Sequence, residues 1–549
     1  MSWIAKTGLA LGFLAFASAG FPQARTDVHV GQLAEIEPFS IATLTLTQGR
    51  LPATQWQNSS AAIFHDLLNE LPVGGGSAQI NILVTRVLLS GGSLPAGSAE
   101  FADLAELRLE GAFAVGAIDA VIALAARSPG GHRDPQIAAL TVNALLAAND
   151  WQAACNIANQ LNEARSAAFW LRVRAFCLAQ QGNRAGAELT AELAVSADPE
   201  NPAFLIQINR LTTPSLEPKS VIVHSSLELA MAEAAHDLPV HSALPFSLKT
   251  ALSLRQAPAS TQIAFEMYAK GAIPQLGLVA SLLAHTAQTP LKPALDEPAL
   301  SVFEQELAAL KAAKAAEGID QIAQLFRLGQ TTNHINMRAE ALEALLAIEL
   351  PIQQNLALHR LVIDQVRFLP LDAALAKNAA LFARIALANG NVVLAQNWLQ
   401  LAEPDALEAA PLDTLVLAAG GRAALSATSL APIMGGSAAQ QQQLATDLSV
   451  LIALGTKIEP ALRHWLSMVQ SKPTNTCPQG KQAALRLSAQ QHAVAETILR
   501  AADLLRDGGF ATLPEPCAAE IIAGLRTLGL EREARLAAIE WMLAIRAQP

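Results

Sequence analysis

The chain has 549 residues, too many for one compact core, so length suggests about three or four globular units or one extended array. Hydrophobic residues make up 52% but aromatic ones only 5%, with a single Tyr; the apolar content is mostly Ala and Leu, the composition of many short, closely approaching helices. Thirty-seven basic against 47 acidic residues make nucleic acid and anionic lipid poor electrostatic matches, and a charged fraction of 15% argues against a coiled coil or a disordered acidic chain.

Lys6 is the only charge of the first two dozen residues, and Gly8 to Ala17 form an apolar run too short to span a bilayer comfortably. Ala17-Ser18-Ala19 then has the small-x-small pattern of a signal-peptidase site, so residues 1–19 are expected to be a secretory signal. No Cys follows that site, which speaks against a lipid anchor. Residues 20–57 read as a leader. Within it Ile41 to Thr47 alternates apolar and polar residues and is closed by Gly49 and Pro52, a pattern that fits a short strand or an extended segment lying across the first helices.

From Ser59 onward the periodicity is helical, in stretches of ~10 to 18 residues cut by Gly or Pro. A first helical array is expected over 58–212. The linker 213–220, with Pro214 and Pro218, separates it from a second array over 221–472. Pro473 to Pro478 then isolates 473–549 as capping helices, because end repeats must shield an apolar face from water. The longest later apolar stretch is interrupted by Asp413 and Arg422, so no stable membrane insertion is expected after signal removal.

One pattern is written twice over about 147–202. Its first copy is Asn149-Asp150-Trp151 with Ala154; its second is Gly182-Asn183 with Ala187, Ala194 and Asp198-Pro199. The pattern resembles the tetratricopeptide repeat, in which a Gly-Asp turn joins two helices, small residues follow five and twelve positions after the Gly, and Asp-Pro closes the unit. Looser echoes stand at Gly111-Ala112-Phe113, at Gly390-Asn391 with Ala395 and Ala402, and at Gly529 with Ala534. Arg174 departs from the family pattern, which wants a large apolar residue there, and the intervals between outer copies are irregular. The resemblance implies an all-α, tetratricopeptide-like α-solenoid of antiparallel helical hairpins, and protein binding.

Four Cys in an exported chain read as structural disulfides. Of the three possible pairings, spacing favours Cys155 with Cys177 and Cys477 with Cys517. Cys155 falls on the second helix of one expected hairpin and Cys177 on the first helix of the next, where stacking would bring them into bridging range.

Motifs for catalysis are absent: no Gly-x-Ser-x-Gly elbow, no Gly-Lys-Ser/Thr phosphate loop, no His-Glu-x-x-His and no Cys-x-x-Cys. His132-Arg133-Asp134 imitates a kinase catalytic loop, but Ala139 stands where the metal-binding Asn belongs. His236, Asp237 and His241 cluster around a Pro, at a spacing that is not helical ligand spacing, and read as a polar turn. Lytic transglycosylases also use long α-superhelices, but their Glu-Ser pair has no counterpart here. No catalytic, cofactor or metal site is therefore expected. The expectation is an exported, non-enzymatic scaffold in the bacterial periplasm, binding another envelope protein or peptide. Two alternatives stay open: an accessory subunit of an outer-membrane export or polymer-secretion system, and a cell-wall-remodelling enzyme whose site is not recognisable.

Overall fold

The computed structural model describes residues 38–546 apart from 102, 129–130, 201–202, 214–216, 256–257, 291–300, 404–411, 424, 470–476 and 507. The chain divides into residues 1–36 and 37–549, and only the second unit contains described residues. Ala17 and Ala19 of the expected cleavage site thus lie outside them. Regular structure is α-helical almost throughout, as the composition requires. Among the described residues, extended pairing is confined to the parallel match of Ser220–Val221 with Leu238–Pro239 and an isolated bridge between Ser60 and Ala96.

A single local device makes many of the hairpins. Asn149, Gly182 and Gly390 have φ of 65°, 76° and 68°, the left-handed conformation that ends a helix. The next residue's N–H turns back to a carbonyl five positions earlier: Asp150 to Leu145, Asn183 to Leu178, and Asn391 to Ala386. This closure satisfies carbonyls that the helix end leaves open. The same Asp or Asn then starts the following helix. Its side chain accepts from the N–H three residues on, at Ala153, Gly186 and Leu394, which is N-capping. Two residues therefore stop one helix and begin the next with no loop between them. Sequence-adjacent helices such as Ala168–Gln180 and Arg184–Ala197 are left no choice but to pack on each other.

Small residues line those contacts. Ala154, Ala187, Ala191 and Ala194 are fully buried, and with Trp170, Phe176 and the Cys155/Cys177 pair they form a core of their own between residues 138 and 231. The main core is separate and contains side chains from Phe39 to Ala544.

The alternating segment Ile41–Thr47 is not a strand. Ile41–Thr45 runs without a partner strand, and Leu46–Gln48 is a 3-10 turn. Its backbone is satisfied instead by helices: Thr43 N–H donates to Leu89 O at 3.1 Å. The Arg108 guanidinium donates to Phe39 O, Ile41 O and Leu88 O at 3.0, 2.8 and 2.7 Å. Of the two readings of this segment, the extended one lying across the first helices is observed. A buried guanidinium with three carbonyl acceptors does what a neighbouring strand would have done.

The last helix, Glu531–Arg546, lies against Ala78–Leu89, Ile352–Leu361, Ala376–Ala388, Asp413–Ala418 and Ala438–Ala453. All eight residues from Ala537 to Ala544 are buried, the signature of an interior helix rather than a surface one. Its Glu540 carboxylate accepts from Ser77 Oγ (2.8 Å), Ala78 N–H (2.9 Å) and Gln79 N–H (3.2 Å), and so caps the helix Ala78–Leu89 from 463 residues away. Arg86 on that helix pairs with Glu533 at 2.6 Å. Gly76 and Gly509 meet backbone to backbone, leaving no room for a Cβ on either. The C-terminal helix thus packs on helices from residues 78–89 and 352–453 as well as on its sequence neighbour.

Candidate functional site

The sequence-derived positions are structural. Asp150 and Asn183 are N-caps, Trp151 opens its helix half-buried, and Gly182 supplies the left-handed turn. Ala154, Ala187 and Ala194 are buried, whereas Pro199 lies in an exposed turn. Cys155 and Cys177 have Cα atoms 5.7 Å apart and Cys477 and Cys517 5.4 Å apart, each pair at disulfide distance. Arg174, the departure from the repeat pattern, donates to Ala158 O and Arg165 O and so ties down the end of the helix Trp151–Gln160.

The cluster of His236, Asp237 and His241 forms no centre. His236 is an exposed left-handed turn residue with φ 57°, and His241 is exposed as well. Asp237 between them is buried and takes a bidentate pair from Arg210 and the Lys219 N–H at 2.9 Å. Burial pushes its carboxyl up, but those donors outweigh it and hold the group below the usual carboxylate range. Among the described residues no three His, Cys, Asp or Glu side chains converge as a metal would need, and no helix is long and apolar enough to cross a membrane.

Two open clefts are the sites that sequence reading missed. The first, about 820 Å³, lies where Gln57–Ser60 meets the helices Gln479–Gln490 and Val494–Leu504. Ser59 Oγ donates to Glu496 at 2.5 Å, and Arg500 donates to the other oxygen of that carboxylate at 2.7 Å. Ala495 N–H donates to Gln55 O at 2.9 Å. These bonds seal residues 437 apart in the chain. Around them the wall is apolar, with Ile63, Leu94 and the exposed Leu487.

The second cleft, about 810 Å³, lies between the start of the helix Gln275–Gln288, the short helix Ile363–Arg367, the turn at Asn389–Val393 and the helix Glu531–Arg546. Its polar side chains hold the walls together. Gln275 donates to Leu361 O at 2.9 Å, and Asn389 donates to His359 O and Ile385 O. Asn391 is an N-cap, and Arg535 donates to Leu417 O and Ala418 O while pairing with Glu531 at 2.6 Å. Arg367 pairs with Asp364 at 3.3 Å.

No local signal marks either cleft, because each is assembled from segments hundreds of positions apart that carry ordinary helix-surface residues. No family model, no curated protein and no solved structure matches the chain.

Proposed function

We propose that this protein is an exported, non-enzymatic helical-repeat scaffold: a tetratricopeptide-like α-solenoid of the bacterial periplasm that binds another envelope protein or an extended peptide. What supports export is the cysteine usage, since all four residues stand in two pairs at disulfide distance, as suits an oxidising compartment.

One observation carries the binding reading. At both clefts several of the polar side chains hold the protein together, as caps, carbonyl clamps and internal ion pairs. The first cleft is lined mainly by apolar surface and the second by polar and apolar surface alike; preformed walls favour association because little ordering is needed on binding.

The test is crosslinking in intact envelopes followed by mass spectrometry, with fractionation and thiol mapping alongside. A periplasmic protein with Cys155–Cys177 and Cys477–Cys517 crosslinks, trapped in stoichiometric amounts with one partner, is the expected result. An outer-membrane channel as that partner would narrow the reading to an accessory export subunit. Cytoplasmic recovery with free thiols, or turnover of a cell-wall substrate by the purified protein, contradicts it.

A further inference from the structure

We propose that the paired Cys477 and Cys517 form a redox latch on one wall of the first cleft, so that this wall is fixed in the oxidised protein and released when a dithiol reduces the bond. The inference rests on the reading of that cleft as a binding surface and adds to it how the surface is regulated.

The wall is the helix Gln479–Gln490, whose Ala484, Leu487 and Ser488 line the cleft together with Gln491 just beyond its end. Its grip on the protein is slight. Of its twelve residues only Leu485, Ser488 and Ala489 are buried, whereas seven of the eleven residues of Val494–Leu504 are. Helices in proteins owe most of their stability to a packed apolar face, and this one packs a single large side chain. Its two ends are held differently. At the C-terminal end His492, with φ 55°, reverses the chain. Ala493 N–H donates there to Ser488 O at 2.9 Å, and Thr497 Oγ1 donates to Ser488 Oγ at 3.0 Å. At the N-terminal end Pro478 supplies no side-chain cap. Cys477 instead meets Cys517, in the first turn of Glu515–Thr527, at a Cα separation of 5.4 Å. Lys481 also pairs with Asp503 at 2.8 Å, and Gln482 and Arg486 bond Glu520 at 3.4 and 2.5 Å. Both cations are more than half exposed, where water and salt weaken ion pairs. A helix hinged at one end and bolted by one covalent bond at the other is a lever that the bond controls.

Reduction is selective for this bond. Both cysteines stand at helix starts whose N-cap residues, Pro478 and Pro514, make no side-chain cap, so fraying of one turn uncovers a sulfur. Cys155 and Cys177 sit in the interiors of their helices, in one core with Trp170 and Phe176. One thiolate of the dithiol attacks Sγ of Cys477, the less buried residue of the pair; the S–S bond breaks and Cys517 leaves as a thiolate. The second thiol of the reagent then displaces Cys477 and closes the reagent's own disulfide. Two electrons and two protons pass from the dithiol to the cysteines, which end as thiols. A chain made in a reducing compartment therefore carries a loose cleft wall until it meets an oxidising one.

Trypsin reads the latch directly, because Lys481 and Arg486 both lie in the helix Gln479–Gln490. The purified full-length protein is compared before and after treatment with dithiothreitol, beside the double variants Cys477→Ala/Cys517→Ala and Cys155→Ala/Cys177→Ala, with amide exchange followed in parallel. Reduction of the wild type, and the first variant without reductant, should each speed cleavage after Lys481 and Arg486 about tenfold or more. Cleavage after Lys311 and Lys314, in the helix Val302–Ala315, should not change. Residues 479–490 should lose amide protection while 494–504 keep theirs, and the second variant should leave 479–490 protected. Reoxidation with glutathione disulfide should restore the wild type. Should the first variant fail to fold, reduction of the wild type decides alone. Equal cleavage before and after reduction would overturn the proposal, and so would the same gain at every site, which makes the bond a general staple. Thiol mapping that finds Cys155 and Cys177 reduced first would overturn it too. None of these results touches the reading of the cleft as a binding surface, which is judged by envelope crosslinking.

Discussion

Arg108 shows how a single side chain replaces an element of secondary structure. It is 3% exposed, has no carboxylate partner among the described residues, and gives its donors to three backbone carbonyls while its guanidinium carbon lies 5.4 Å from the Phe39 ring centroid. Burial pulls its pKa down to about 10; the group stays a cation because oxygen atoms and an aromatic face surround it. Arg108→Met fills similar volume but leaves those carbonyls unsatisfied, at a cost of roughly 2–4 kcal/mol. Urea unfolding should read that loss, and amide exchange should show the Phe39–Thr45 segment released before the rest. His359 is a second buried case. Burial lowers its pKa to about 4, with Arg384 and Arg360 adding to the shift, while its bond to Asn355 O opposes it. Between about 4 and the ordinary histidine value of 6.5 the unfolded chain takes up a proton that the native state refuses. Stability is therefore complete above that window and falls as pH drops through it, by roughly 3 kcal/mol in all. A His359→Gln variant should lose that part of the acid slope in pH-dependent melts.

At the scale of elements, the recurrent turn explains why so many short helices form without long loops. Its two residues act on opposite helix ends, so the tight hairpin is written locally. Close packing of the hairpin is written locally too, in small residues such as Ala187, which is fully buried between neighbouring helices. Ala187→Leu should overpack that contact and cost about 1–3 kcal/mol, seen as a lowered Tm. An unchanged Tm would mean the side chain has room that the packing denies it. The paired Cys155 and Cys177 fasten the same region, joining the helix Trp151–Gln160 to the helix Ala168–Gln180. Sequence and structure agree best here, where every determinant lies within about two helices of its partner.

At the scale of the whole described chain, the two ends are energetically one region. Glu540, Glu533 and Glu496 each reach back to residues between Ser59 and Arg86, and Trp56, Phe64 and Trp541 share the main core. In a strictly nearest-neighbour stack, damage at one terminus stays near that terminus. Deleting residues 531–549 is expected to behave differently. Amide exchange and limited proteolysis should find the helices Ala61–Asn69 and Ala78–Leu89 deprotected, while the separate core around Trp170 keeps its protection. Glu540→Gln is a milder version: it weakens the cap on Ala78–Leu89 by roughly 1–3 kcal/mol, since charge-assisted bonds become neutral ones. Protection of the first helices unaffected by the deletion would contradict this coupling.

The sequence by itself determined the all-α class, the turn chemistry and the small-residue packing of the hairpins over about 147–202, and it favoured, among three possible pairings, the two cysteine pairs found at disulfide distance. Each depends on residues close together along the chain or on a short menu of partners. It left the leader open between two conformations, because alternation alone does not say whether a strand or an arginine will satisfy the backbone. Only the tertiary structure decided that the last helix packs on Ala78–Leu89 as well as on helices of residues 352–453, and that clefts open where such distant segments meet. Glu540 and Ser77, or Val393 and Arg532, bear no mark of each other in the sequence. Apolar periodicity tells a helix which face to bury, and it is blind to which distant helix will cover it.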